Sequence, residues 1–272
     1  MLSIEFGSSQ RGDSDLSSDR DILLIASNWD QLAKEKALRA AQGYSVSCFT
    51  NDTSSYLVES GSLFFKHVID EGVLVRGSET EYLSLTRKWS PAKNYQEEID
   101  SNVDLLEVLD FVPETTGGIV AAVDIIICSI RNILIRKLAH AGIYVFSWKH
   151  VLDKAAEMGL ICEESTKTFL LARAIKNLYR QGHIKPIPLS FVDRLIDGSK
   201  YVFDGRVNFN ISTRSRIQTF TDKCGDGSYK QLRAMELLCA SYDFDPSMQD
   251  YLNWIKEPSY FKARGPNHRV VR

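Results

Sequence analysis

The first quarter of the chain alternates between strand-like and helix-like hydrophobic patterns. Positions 2, 4 and 6 are apolar, with the period of two typical of a half-buried strand, and residues 22–25 form a continuous apolar run. After Ser27 or Asn28 as the cap, helical spacing continues to Gly43, where a helix is predicted to end. Residues 44–50 are rich in β-branched and aromatic side chains, which predicts a third strand.

Two further elements complete this region. Thr53 or Ser54 is expected to cap a second helix, and residues 68–75 contain a Glu-Gly turn with a last strand. The elements of this region thus follow one another in the order strand, strand, helix, strand.

From about residue 80 onward the spacing of apolar positions is mainly helical. It predicts helices over 103–109, 119–141, 148–158, 163–181, 189–196 and 230–242. The first half of the helix over 119–141 is apolar on nearly all sides, so we expect it at a domain centre. Residues 197–228 are predicted as a polar loop. The fold class is therefore α+β, with an N-terminal domain over residues 1–79 and an all-helical domain over 80–272.

Composition changes this picture little. Hydrophobic residues make up 44% and charged residues 25% of the chain, which is ordinary for a globular protein. The net charge of −2 gives no general attraction to nucleic acids or membranes. The apolar run over 119–130 is shorter than the ~20 residues that a membrane span needs, so no membrane partner is expected. Widely spaced cysteines without a Cys-x-x-Cys pair, and no leader pattern, predict a cytoplasmic protein with reduced thiols.

The candidate chemistry is concentrated between the first two predicted strands. Asp19 and Asp21 lie two positions apart, so on a strand both carboxylates point to the same side. Mg²⁺ is commonly held by one or two carboxylates together with the phosphates of a substrate. A turn at Gly7 and Ser8 offers backbone N–H groups and a hydroxyl to a phosphate. The stretch therefore predicts a site for a metal-bound nucleoside triphosphate.

These residues resemble the small nucleotidyltransferases of the DNA polymerase β superfamily, over roughly residues 1–77. The resemblance is carried by the complete ordered pattern Gly7-Ser8, Arg11-Gly12-Asp13 and Ser18-Asp19-x-Asp21. It implies a polymerase-β-like nucleotidyltransferase core, a mixed sheet with helices, with which the order of the predicted elements agrees. It also implies Asp19 and Asp21 as catalytic metal ligands and Gly7, Ser8 and Arg11 as nucleotide-binding residues. It also implies Mg²⁺ as cofactor and ATP, or another nucleoside triphosphate, as substrate.

The activity implied by this resemblance is transfer of a nucleoside monophosphate, in the first place AMP from ATP, to a hydroxyl group. The acceptor is left open between a protein, an RNA and a small molecule. The helical domain is expected to supply the acceptor pocket, or a surface for a protein partner or a second copy of the chain.

Two features depart from the family pattern. A third acid is normal on the strand after the helix, and position 47, where it is expected, is Ser47. A subgroup of relatives also carries serine there, followed by a segment that Gly61-Ser62-Leu63-Phe64, His67 and Glu71-Gly72 match. The alternative function is therefore a catalytically impaired nucleotide-binding module, regulatory or antitoxin-like, that acts by binding a partner. The second departure is that the chain begins with the Gly-Ser strand, whereas many relatives have a helix before it.

Several other polar residues have ordinary structural interpretations. His67 is expected to be a structural or surface histidine, and Asp124 to be paired inside the core. Arg136 and His140 share a helix face and faintly resemble a ribonuclease motif, but an ordinary helix-face pair is the favoured interpretation. The cations of residues 197–228 are expected to form a solvated face.

Overall fold

A mixed four-stranded sheet forms the N-terminal region of the computed structural model, which describes residues 1–7, 20–224 and 228–241. The strands are β1 (Leu2–Phe6), β2 (Arg20–Ala26), β3 (Tyr44–Thr50) and β4 (Val73–Arg76), arranged in the order β3-β2-β1-β4. β1 is antiparallel to both β2 and β4, whereas β2 and β3 are parallel. Together with the many helices, this sheet confirms the α+β class.

The described residues divide into two compact units. Among the described residues, the sheet unit comprises those of Met1–Tyr95 and Leu138–His150, and the helical unit comprises Gln96–Lys137 and the described residues after His150. The domain boundary predicted after residue 79 falls just inside the helix that follows β4, and the sheet unit continues beyond it to Tyr95.

Helices cover both faces of the sheet. Among the described residues up to Tyr95, the helices are α1 (Trp29–Ala41), α2 (Asn51–Glu59), α3 (Leu63–Glu71) and α4 (Glu79–Lys88). On one face a buried cluster joins the sheet to α2 and α3: Leu2, Ile4, Phe6, Leu23, Ile25, Val58, Phe65 and Val68. On the other face the buried cluster includes Leu32 of α1: Ile22, Leu24, Ala26, Leu32 and Val46. Alternate residues of β2 thus serve opposite cores, which explains its continuous apolar run.

The rest of the described chain is helical. Its elements are α5 (Gln96–Leu105), a 3₁₀ helix (Leu106–Phe111), α6 (Thr116–His140), α7 (Trp148–Glu157), α8 (Glu163–Arg180), α9 (Leu189–Gly198), α10 (Arg214–Lys223) and α11 (Tyr229–Ala240).

Among the described helices, α6 is the one with the length and composition of a membrane span. However, 83% of its most apolar window is buried inside the protein. This burial identifies α6 as a core helix, as its nearly uniform apolar pattern predicts.

Several element boundaries differ from the sequence predictions. Thr50 rather than Thr53 or Ser54 caps α2, because its hydroxyl accepts the backbone N–H of Thr53. α4 and most of α5 precede residue 103, where the first helix of the helical domain is predicted to begin. The predicted polar loop over 197–228 is wrong in part, because it contains the ten-residue helix α10.

Candidate functional site

Gly7 and Asp21 meet at the end of the β1–β2 pair. The antiparallel register places Phe6 opposite Asp21, so β1 ends beside the start of β2. Gly7 follows with φ = +87°, a conformation that glycine adopts easily and other residues do not. A Cβ on Gly7 would lie 3.0 Å from Oδ2 of Asp21, so the carboxylate is packed directly against the glycine backbone.

The strand pattern explains why Asp21 occupies this position. Asp21 alternates with Leu23 and Ile25, whose side chains enter the core beneath α2 and α3. Asp21 begins this series and is only half-buried, whereas the two apolar residues are buried. A rigid, buried strand therefore holds a carboxylate at its more accessible end.

The other predicted ligands cannot be placed. Ser8, Arg11 and Asp19 lie outside the residues that the structure describes. Of the five predicted site residues, the structure thus brings together Gly7 and Asp21. Within the described ranges, no group of three or more His, Cys, Asp or Glu side chains could hold a metal ion. The metal site therefore stays a prediction. Of its two carboxylates, Asp21 is placed by the structure, and Asp19 is inferred from the sequence alone.

The neighbouring strand offers hydroxyl groups where the superfamily pattern has an acid. In the parallel β2–β3 register Asp21 is level with Ser45, and Ser47 is level with Leu23. Ser45 rather than Ser47 is therefore the β3 residue beside Asp21. Both are serines, so the absence of a carboxylate from β3 does not depend on the register. Asp52, the next acid along the chain, lies in the first turn of α2 and is exposed.

His67 packs near the same strand end. Its Nε2 lies 2.8 Å from Oε2 of Glu71, one helical turn further along α3. Its ring stands edge-on to Phe6, with centroids 5.2 Å apart, and stacks on Phe146 at 4.6 Å. These contacts favour the structural interpretation of His67, because two aromatic rings and a carboxylate contact the imidazole.

A second polar cluster, which sequence reasoning missed, lies on the opposite face of the sheet. Tyr44 at the start of β3 donates its hydroxyl proton to Glu5 of β1, and Arg20 at the start of β2 bonds the same hydroxyl. The guanidinium of Arg20 also lies 4.1 Å from the centre of the Tyr44 ring. The hydrogen bond to Glu5 raises the pKa of Tyr44.

This Glu5–Arg20–Tyr44 cluster ties three strands together next to Asp21. Arg20 precedes Asp21 directly, so the cluster holds the backbone from which the Asp21 carboxylate projects on the other face. The alternation of residues along each strand predicts the face of the sheet on which each side chain lies. The sequence does not predict the register between strands, which brings the three side chains of the cluster together.

Arg136 and His140 make separate structural contacts. Arg136 is buried, and its Nε donates to Glu98 at 2.7 Å. The Nε2 of His140 accepts the backbone N–H of Tyr95 at 2.5 Å. Each side chain thus makes an ordinary structural contact, with a different residue, in agreement with the favoured structural interpretation.

Asp124 confirms the prediction of a core pair. It is completely buried in α6 and receives hydrogen bonds from Arg180 of α8 and Arg233 of α11, with the Arg180 Nε at 3.0 Å. Burial alone would raise the pKa of Asp124, but Arg233 and Arg180 outweigh burial and hold it at about 2. Arg233 also pairs with Glu236, which accepts the Tyr179 hydroxyl at 2.6 Å. This network joins three helices of the helical unit.

Comparisons with models of protein families, with curated proteins and with solved structures found no match to this chain. Interpretation of the site therefore rests on the motif and on the geometry of Gly7 and Asp21.

Proposed function

We propose that this protein is a Mg²⁺-dependent nucleotidyltransferase with a polymerase-β-like core, transferring AMP from ATP to a hydroxyl group. The observation that carries the proposal is the position of Gly7, which has a left-handed backbone and packs directly against the Asp21 carboxylate. A phosphate bound at the Gly7-Ser8 turn would lie beside a carboxylate suited to Mg²⁺, as a metal–triphosphate site requires.

The roles of the residues follow from their chemistry. Asp19 and Asp21 would hold Mg²⁺, Gly7 would allow the triphosphate to approach the backbone, and Ser8 and Arg11 would bond phosphate oxygens. Bound Mg²⁺ would neutralise charge on the α-phosphate and on the leaving pyrophosphate. The acceptor oxygen would form a bond to the α-phosphorus as the bond to the bridging oxygen of the β-phosphate breaks. Positioning and charge neutralisation supply most of the catalysis in such transfers.

Labelled ATP tests this proposal directly. The full chain is incubated with Mg²⁺ and a fractionated cell extract, using ATP labelled in parallel at the α- or the γ-phosphate. Nucleotidyl transfer leaves the α-label on an acceptor and releases the γ-label as pyrophosphate. Asp19→Asn and Asp21→Asn should each lower transfer by at least about 100-fold, because both act on the charge that develops in the transition state.

Asp30→Asn is the matched control, because Asp30 is an exposed acid in the first turn of α1. It should leave transfer unchanged. Acceptor-bound γ-label instead of α-label, or full transfer by both Asp19→Asn and Asp21→Asn, would contradict the proposal.

One observation favours the second candidate, a nucleotide-binding module without catalysis. The β3 residue level with Asp21 is Ser45, and β3 carries no carboxylate to take the proton of an acceptor hydroxyl. Such a module would bind Mg²⁺-ATP, detected by calorimetry, and would lose this binding in Asp21→Asn, yet label no acceptor. Ser45→Asp separates the two candidates further, since a carboxylate level with Asp21 would raise a slow transfer rate, whereas Ser47→Asp, level with Leu23, should not.

A further inference from the structure

A basic and aromatic surface lies in the helical unit, where α10 packs against the 3₁₀ helix. Phe220 of α10 stacks on Phe111, with ring centroids 4.1 Å apart and an angle of 13° between the planes. A shallow concavity of about 360 Å³ is lined by these rings and by four polar residues of α10. We call this surface the α10 platform; it comprises Phe111, Ser215, Arg216, Thr219, Phe220 and Lys223.

Helical periodicity brings these residues to one side of α10. Positions 215, 219 and 223 are four apart, as are 216 and 220, so they form two adjacent rows on the helix surface. Ile217 and Thr221 are buried on the opposite side. Arg216, Thr219 and Lys223 are exposed and the two rings half-buried, so aromatic surface and mobile cations share one accessible face.

The charge of the platform is positive. Within the part of the chain that the structure describes, neither Arg216 nor Lys223 has a carboxylate at ion-pair distance. Of three nearby acids, one pairs with a lysine and two hydrogen-bond to neutral amides. Glu107 pairs with Lys230, Asp110 accepts from Asn210 at 2.6 Å, and Asp222 accepts from Gln218 at 2.8 Å.

Cations also lie near the rings. The Arg216 guanidinium is 5.9 Å from the centre of Phe111, within the range of a cation–π contact. Arg216 occupies the first turn of α10, where the helix dipole disfavours a positive charge. Helix stability therefore does not account for a cation at this position, but a bound anion would.

We propose that the α10 platform binds single-stranded RNA. Bases can stack on the accessible parts of aromatic rings and on guanidinium planes, while nearby cations follow the phosphate backbone. This assignment replaces the expectation of a merely solvated face, because α10 orders the cations around a stacked aromatic pair. It does not depend on nucleotidyl transfer.

Thr219 favours RNA over DNA. Its hydroxyl donates to the backbone oxygen of Ser215 at 2.9 Å, so toward a ligand Thr219 Oγ1 can only accept. Phosphate diester oxygens have no proton to donate. The 2′-hydroxyl of ribose can donate one, and deoxyribose lacks this group.

Fluorescence anisotropy with the full chain tests the platform. The probes are a labelled oligouridylate and an oligodeoxyuridylate of equal length, which differ in the 2′-hydroxyl. Arg216→Gln and Phe220→Leu should each weaken oligouridylate binding on the order of 10-fold. The first variant removes a guanidinium group that would contact a phosphate or stack on a base, and the second removes an aromatic ring on which a base would stack. Lys223→Gln should lower the salt dependence of log Kd by about 0.7, the value for one phosphate contact on a single strand.

Thr219→Val should abolish the preference for oligouridylate over oligodeoxyuridylate. Lys167→Gln is the matched control, because Lys167 is an exposed cation on α8 with a side chain 75% accessible; it should bind as the unmodified chain does. Asp21→Asn should also bind RNA normally, which separates this inference from the proposed activity. Circular dichroism confirms that each variant is folded. Absent oligouridylate binding, equal binding by platform variants and the control, or equal affinity for both probes, would overturn the proposal.

Discussion

Asp21 and Asp124 are carboxylates with opposite surroundings. Asp124 lies inside the helical unit and is neutralised by two guanidinium groups from two other helices. Asp21 lies at the accessible end of a buried strand, against the backbone of a glycine. A buried charge needs partners to exist at all, whereas a charge at a strand end can be kept for a ligand. The comparison sets a buried carboxylate that maintains the fold against a half-buried one that we propose binds Mg²⁺.

The largest expected effect on stability comes from Asp124→Asn. The substitution keeps the shape of the side chain but removes its charge, leaving Arg180 without an opposite charge and Arg233 with Glu236 alone. Breaking a buried pair in this way costs about 3–5 kcal/mol. Urea unfolding followed by circular dichroism should show this loss, while the exposed Asp153→Asn on α7 should change stability by less than about 0.5 kcal/mol. Equal stability of the two variants would mean that the network adds nothing to the fold.

Lowering the pH should remove the stabilising charge of Asp124 without a mutation. The pKa of Asp124 is about 2 in the folded protein, below the ordinary value of 3.8. A carboxyl group whose pKa is lower in the folded state stabilises the fold at pH values above its pKa in the unfolded chain. This stabilisation is lost as the pH falls through its pKa in the folded protein. Unfolding free energy should therefore drop by about 2 kcal/mol between roughly pH 4 and pH 2 because of this group.

The Asp124→Asn variant is the control for that pH dependence. It lacks the titrating carboxyl, so its stability curve should be flatter than that of the unmodified chain over the same acid range. If both curves fall in parallel, other carboxyl groups cause the acid sensitivity.

The contrast between these aspartates also shows what the sequence could predict. β3 was predicted with its observed bounds, because Gly43 marks its start and β-branched and aromatic residues fill it. Asp124 was predicted to be paired, since an acid inside an apolar helix has few alternatives. Its partners, 56 and 109 residues away, could not be predicted because tertiary packing selects them.

The helices that were missed have little apolar signal. α4 has no fully buried residue, and α10 buries only Ile217 and Thr221, so neither shows a long apolar stripe. At the site, the motif identified Gly7 and Asp21, but the contact between them depends on the β1–β2 register. The Glu5–Arg20–Tyr44 cluster depends on the register of three strands, which short-range patterns do not determine.

Gly7→Ala tests whether the close contact between Gly7 and the Asp21 carboxylate is needed for Mg²⁺-ATP binding. An alanine at φ = +87° costs about 1–2 kcal/mol in backbone strain, and its Cβ would press on the Asp21 carboxylate. Gly43→Ala is a matched control, because Gly43 has φ = +83° and open space around its Cβ position. Both variants should lose similar stability in thermal unfolding, but only Gly7→Ala should weaken Mg²⁺-ATP binding measured by calorimetry. Equal binding by both would indicate that Gly7 serves the turn alone.

Asp21→Asn should have the smallest effect on the fold. In the absence of Mg²⁺ and nucleotide, its unfolding free energy should differ from that of the unmodified chain by less than about 1 kcal/mol, because the strand is held by its buried neighbours rather than by the carboxylate. Mg²⁺-ATP should raise the melting temperature of the unmodified chain, since a ligand that binds only the folded state stabilises it. The same addition should leave the melting temperature of Asp21→Asn unchanged. A large loss of stability without any ligand would place Asp21 in the same structural class as Asp124, and the distinction between the two carboxylates would fail.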